Sequence, residues 1–148
     1  MTALTDDDEF LFRQVHPTFV RDGRPSSQAF RPTPKDEGKL SVARGALTTA
    51  EDAYTLHTQR RGLASAGSWA VTVGECREQA LVAVEDPIES SADAVVDPAH
   101  ALVDFAQVSK SQAEAKGARL ARHAHDRGRL HPPIEPSGAS EDATVDAQ

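Results

Sequence analysis

Apolar residues in this chain come in short runs. Phe10–Val15, FLFRQV, is β-prone and is ended by His16-Pro17, because proline cannot donate to a strand ladder. In SWAVTV (68–73), Trp69, Val71 and Val73 alternate onto one side, the period of a half-buried strand. ALVAV (80–84) and HALVDF (100–105) are more continuously apolar and predict inner strands, and KLSVA (39–43) predicts a further short one.

Two segments carry the helical period instead. Between Leu47 and Gly62, the residues Ala50, Ala53, Tyr54 and His57 share one face, and Thr48 with Glu51 reads as a capping box. Arg60 and Arg61 suit the negative end of that helix, and Gly62 is a natural stop. In the segment 109–130, Ala113, Gly117, Leu120, Ala121 and Ala124 form a stripe of mostly small residues, with Ser109 or Ser111 as the cap. Such a stripe lets a helix lie unusually close to a sheet. The order of elements is not a strict strand–helix alternation. It predicts an α+β fold, with a mixed or mainly antiparallel sheet of about five short strands flanked by two helices.

The stretch Gly23–Val42, GRPSSQAFRPTPKDEGKLSV, fits neither period. Pro25, Pro32 and Pro34 disfavour a helix, and Asp22-Gly23 marks a turn. Arg24, Arg31, Lys35, Lys39 and Arg44 outnumber Asp36 and Glu37, so the segment is basic within an acidic chain. A long ordered loop stiffened by proline suits a binding surface, since less entropy is lost on contact. Opposite the small-residue stripe, Lys116, Arg119, Arg122, His123 and Arg127 recur at 3-4 spacing and predict a continuous positive ridge.

Composition narrows the classes. A chain of 148 residues has room for one domain, and with aromatics at 5% its core must be built mainly from Ala, Val and Leu. The folded body is expected at 9–131, with residues 1–8 and 132–148 as disordered acidic ends. A net charge of −7, and the lack of aromatics among the bases, argue against a non-specific nucleic-acid binder. Cys76 is alone, which excludes an internal disulfide and a cysteine-based zinc site. It reads as a small buried hydrophobe, with a thiolate favoured by Arg77 as the alternative. MTALTDDDEF lacks the basic and apolar regions of a secretory leader, and no run is long enough to span a membrane, so a cytoplasmic protein is expected.

Candidate chemistry is sparse. No HExxH, Walker loop or GxGxxG occurs. His100 and Asp104 are expected on one strand face, where an Asp could orient a His. Arg13 beside His16, a serine segment at Ser26-Ser27, a helix bearing Tyr54 and a strand leading to Glu85 form a layout that resembles ADP-ribosyltransferase-like proteins. The resemblance implies NAD as the cofactor. Arg13 would hold the dinucleotide, Tyr54 would support it, and Glu85 would engage the ribose as oxocarbenium character develops.

The reading that follows is an accessory or regulatory protein with no catalytic set, no cofactor and no metal. It would bind a partner protein through Arg24, Arg31 and Lys35 in the segment 21–44 and through Lys116, Arg119, Arg122 and Arg127 in the segment 110–130. An NAD-using enzyme built on Arg13, Tyr54 and Glu85 is the alternative, and a nucleic-acid-binding accessory protein is the next. Homo-oligomerisation is left open.

Overall fold

Strand β1 (Phe10–Gln14) lies between β5 (Ser68–Thr72) and β4 (Lys39–Arg44), and β7 (His100–Asp104) and β6 (Val82–Glu85) continue the sheet beyond β4. In this computed structural model, which describes residues 2–90 and 94–134, the five strands run in the order β5-β1-β4-β7-β6. Every pairing is antiparallel. A two-stranded ribbon, β2 (Val20–Arg21) with β3 (Arg24–Pro25), turns at Asp22 (φ 54°) and Gly23 (φ 76°). Successive positive φ angles are what a tight two-residue hairpin needs, and Asp-Gly supplies them at low cost. The fold is α+β.

One sheet face is covered by α3 (Lys110–Arg127). Its buried residues are Gly117, Leu120, Ala121 and Ala124, four of the five residues of the expected stripe, with Ala113 half-buried, and Ser109 caps it by accepting from the Gln112 N–H. Small side chains let α3 sit directly on the 3-10 turn Ser27–Phe30, whose Ala29 and Phe30 enter the main core with Leu11, Leu40, Val71 and Val103. The prolines of this stretch do prevent an α-helix, yet the chain forms short 3-10 turns at 27–30 and 34–36, the second opened by Pro34.

The opposite face carries a smaller cluster of Phe12, Ala53 and Ala70 under α1 (Ala50–Thr55). That helix is capped one residue later than the sequence predicts: Thr49 Oγ1 accepts from the Asp52 N–H, and no Thr48–Glu51 box forms. Beyond Thr55 the helix widens into a π-turn, Leu56–Arg60.

Two expectations need correction. Helix α2 (Val73–Glu78) follows β5 directly, so three helices flank the sheet. It is held by a reciprocal Thr72–Glu75 capping box, and Cys76 lies within it and is fully buried. The segment before β1, expected to lie outside the fold, pairs with the edge of the sheet. The Leu4 N–H donates to Ala83 (2.8 Å) and the Glu85 N–H to Thr2 (2.9 Å), while the Leu4 side chain packs on the core. The open edge of β6 is a row of unpaired peptide groups, some of which Thr2 and Leu4 satisfy. At the other end, Leu130 and His131 exchange backbone hydrogen bonds with Ser68. The remainder of the expected tail, 135–148, lies outside the described residues. Among the described residues no helix is long and apolar enough to cross a membrane.

Candidate functional site

Strands β1 and β5 stay paired through Gln14↔Ser68, whereas β1 and β4 are paired only at Leu11↔Arg44 and Phe12↔Ala43. Past Phe12 the two strands part, and Arg13 spans the gap. Its Nε donates to the Ala29 carbonyl (2.8 Å) and its Nη1 to the Ser41 carbonyl of β4 (3.0 Å). Burial lowers the guanidinium to about 10, against a smaller opposing effect from the Asp36 charge.

This split opens into a cleft of about 390 Å³ on the α1 side of the sheet, within the range of small-molecule sites. Phe12, Val42 and Ala43 line its base, and Leu47 and Leu63 stand at it about half exposed, at 55% and 51%. Its polar groups arrive from separate segments. His57 projects from the π-turn, an element that recurs at functional sites. Arg61, just past that turn, pairs with Asp97 at 3.0 Å. Asp97 is itself buried and also accepts from the Ala99 N–H.

His100 begins β7 and is buried at 8% exposure, with Nδ1 3.1 Å from both the backbone oxygen and the carboxylate of Asp86. The expected His100–Asp104 pairing therefore does not form. The two residues stand at opposite ends of β7, and Asp104 accepts from the Ala106 N–H instead. His57 has its pKa lowered, first by burial. A hydrogen bond to the Ala64 backbone acts against this, and the charges of Arg61, Arg13 and His16 push further down. The charges acting on this imidazole are thus cationic.

Of the residues expected to serve NAD chemistry, only Arg13 lines the cleft. Tyr54 on α1 meets His131 edge-on, with ring centroids 5.0 Å apart. Glu85 ends β6 and lies 3.7 Å from Arg44. Strands β4 and β7 separate β6 from β1, so the sheet order keeps Glu85 away from Arg13.

The expected positive ridge is in large part spent on holding α3 in place. Lys116 donates to the Gln79 carbonyl and Arg119 to the Gln79 side chain. Arg127 donates to the Ala70 carbonyl, grips both carboxylate oxygens of Glu75 (3.1 and 2.9 Å), and lies over the Phe10 ring. Arg122 points outward and is exposed. In the other basic segment, Arg31 pairs with Glu114 (3.2 Å) and Arg24 is exposed on the hairpin. Lys35 sits in the 34–36 turn, and its side chain lies outside the described residues.

Sequence reasoning missed His57, Arg61 and Asp97 as site residues, and it gave His100 the wrong partner. No local motif joins them, since the cleft draws on segments about 40 residues apart. The readable hint was a histidine on a helix face next to paired arginines. Comparison with models of protein families, with curated proteins and with solved structures gives no match.

Proposed function

We propose that this protein binds a small organic anion in the cleft between β1 and β4, with Arg13 receiving the charged group and Leu47 and Leu63 flanking an apolar body. The observation that carries this reading is the half-buried Arg13 guanidinium, set where β1 and β4 part and lining a cleft that also has apolar walls. A cation removed from water favours an anion strongly, because its attraction is less screened there. Burial first, and then the charges of Arg61, Arg13 and His16, lower the pKa of His57, so cations bear on that ring although Asp36, Asp52 and Asp97 also line the cleft.

Isothermal titration with phenyl phosphate, benzoate and a nucleoside monophosphate tests it. Saturable binding is expected for at least one, weakened tenfold or more in Arg13→Met and less in Arg13→Lys. Affinities unchanged in both variants, or no saturable binding by any of the three, would remove the proposal.

A second reading is favoured by one observation. The two basic segments expected to meet a partner protein form the walls of a single groove of about 370 Å³, lined by Phe19, Pro32, Phe105 and Val108 with Arg31 and Lys110 at its sides. An accessory role at this groove fits cations flanking an apolar floor. Lys110→Glu reverses an exposed charge at the side of this groove. It should abolish co-purification with a native partner, and unchanged co-purification would remove the groove from consideration.

A further inference from the structure

The cleft holds two imidazoles as well as a guanidinium, and anion binding alone has no use for the second. His57 and His100 reach it from different elements, the π-turn and the start of β7, and both line the same cavity as Arg13. Each has one ring nitrogen already committed. His100 Nδ1 is held by the backbone and the carboxylate of Asp86, which leaves Nε2 for a ligand. His57 is hydrogen-bonded to the Ala64 backbone, which likewise leaves its other nitrogen. Their surroundings differ in kind: a carboxylate stands behind His100, and arginines stand around His57. Two titratable groups placed in opposite fields of one site are the arrangement from which acid and base roles arise.

We infer that His57 and His100 act as general base and general acid in the hydrolysis of a phosphodiester bound at Arg13, an inference that rests on the anion-binding reading above. His57, neutral because burial and the nearby cations hold its pKa down, takes a proton from a water molecule. The water oxygen forms a bond to phosphorus as the bond from phosphorus to one ester oxygen breaks. That oxygen keeps the electron pair and takes a proton from Nε2 of His100. The products are a phosphomonoester and an alcohol. His57 is left protonated and His100 neutral, and one proton passing through solvent restores both. A diester is the class that needs both groups. Transfer from a monoester is loose and demands little of a base, whereas a diester needs its nucleophile activated and its alkoxide protonated. Arg13 holds the non-bridging oxygens and balances the charge that grows on them.

Two substrates separate the roles: a nucleoside 2′,3′-cyclic phosphate, whose leaving alkoxide needs a proton, and bis(p-nitrophenyl) phosphate, whose leaving phenolate does not. His57→Ala is expected to slow both by about 100-fold. His100→Gln should slow the cyclic nucleotide by about 100-fold and the nitrophenyl diester by less than tenfold. His100 is buried and its variant could fold poorly, so Asp86→Asn, on a more exposed side chain, gives the second reading. It should cost about tenfold on the cyclic nucleotide alone. Titration with phenyl phosphate is run alongside on the same preparations. Arg13-dependent binding without hydrolysis of either diester, or hydrolysis indifferent to His57→Ala, overturns the catalytic inference and leaves anion binding standing. Absence of Arg13-dependent binding overturns both.

Discussion

Gly117 of α3 rests against the backbone of Ser27: a Cβ on Gly117 would come within 2.9 Å of the Ser27 carbonyl oxygen and 3.3 Å of the Phe30 oxygen. This contact binds the proline-rich stretch to the last helix. It also makes the stretch part of the core, because Ala29 and Phe30 are completely buried beneath α3.

Helix propensity and packing make opposite predictions for Gly117→Ala. Alanine gains about 1 kcal/mol in a helix interior, while forcing a methyl against fixed backbone costs about 1–3 kcal/mol. Because the nearest atom, at 2.9 Å, is the Ser27 backbone oxygen, packing should win, and the urea midpoint should fall. A midpoint that rises would mean α3 is free to lift from the 27–30 turn.

Glu75 closes the capping box of α2 and anchors Arg127 and His123. Burial pushes its carboxyl up, but hydrogen bonds from Arg127 and Thr72 and the charges of Arg127 and His123 outweigh that and hold it below its usual range. Its stabilisation is therefore complete above the ordinary carboxylate pKa and is lost as pH falls through the lower folded value. Urea titrations between pH 6 and 3 should show acid destabilisation that is shallower in Glu75→Gln. Equal slopes for the two proteins would contradict the assignment.

Arg61→Ala leaves the buried Asp97 carboxylate with the Ala99 N–H but without its cation. A cost of about 1–3 kcal/mol is expected, since the remaining charge is poorly solvated. Hydrogen exchange should quicken around residues 96–99, the far wall of the cleft. Exchange unchanged there would show that the pair does not fasten that wall.

Burial, and then the neighbouring Glu75 charge, push the Cys76 thiol up to about 12. Arg77, which could have favoured a thiolate, is exposed and pairs with Asp7. A disulfide exchange reagent at pH 8 should therefore label the native protein only as fast as it unfolds. Labelling within seconds in the absence of denaturant would refute the buried placement.

Local patterns carried much of the architecture. The strand at SWAVT, the stripe from Ala113 to Ala124 and the Asp22-Gly23 turn each report forces acting within a few residues and appear where the sequence places them, although β5 is buried on both faces and Val73 opens α2. Helix α2 was also written locally, in the Thr72–Glu75 box, but six residues with a glycine among them are too few to show a period. The cleft was legible in no segment. It exists because β1 keeps β5 and leaves β4 after Phe12, which draws Arg13 into the gap and brings His57 and His100 to one cavity. Strand divergence and the pairing of Asp86 with His100 are settled by packing between distant parts of the chain, and periodicity carries no information about either. The same is true of the bases on α3: their spacing was plain in the sequence, but whether each faces solvent or a carbonyl depended on what the helix came to rest against.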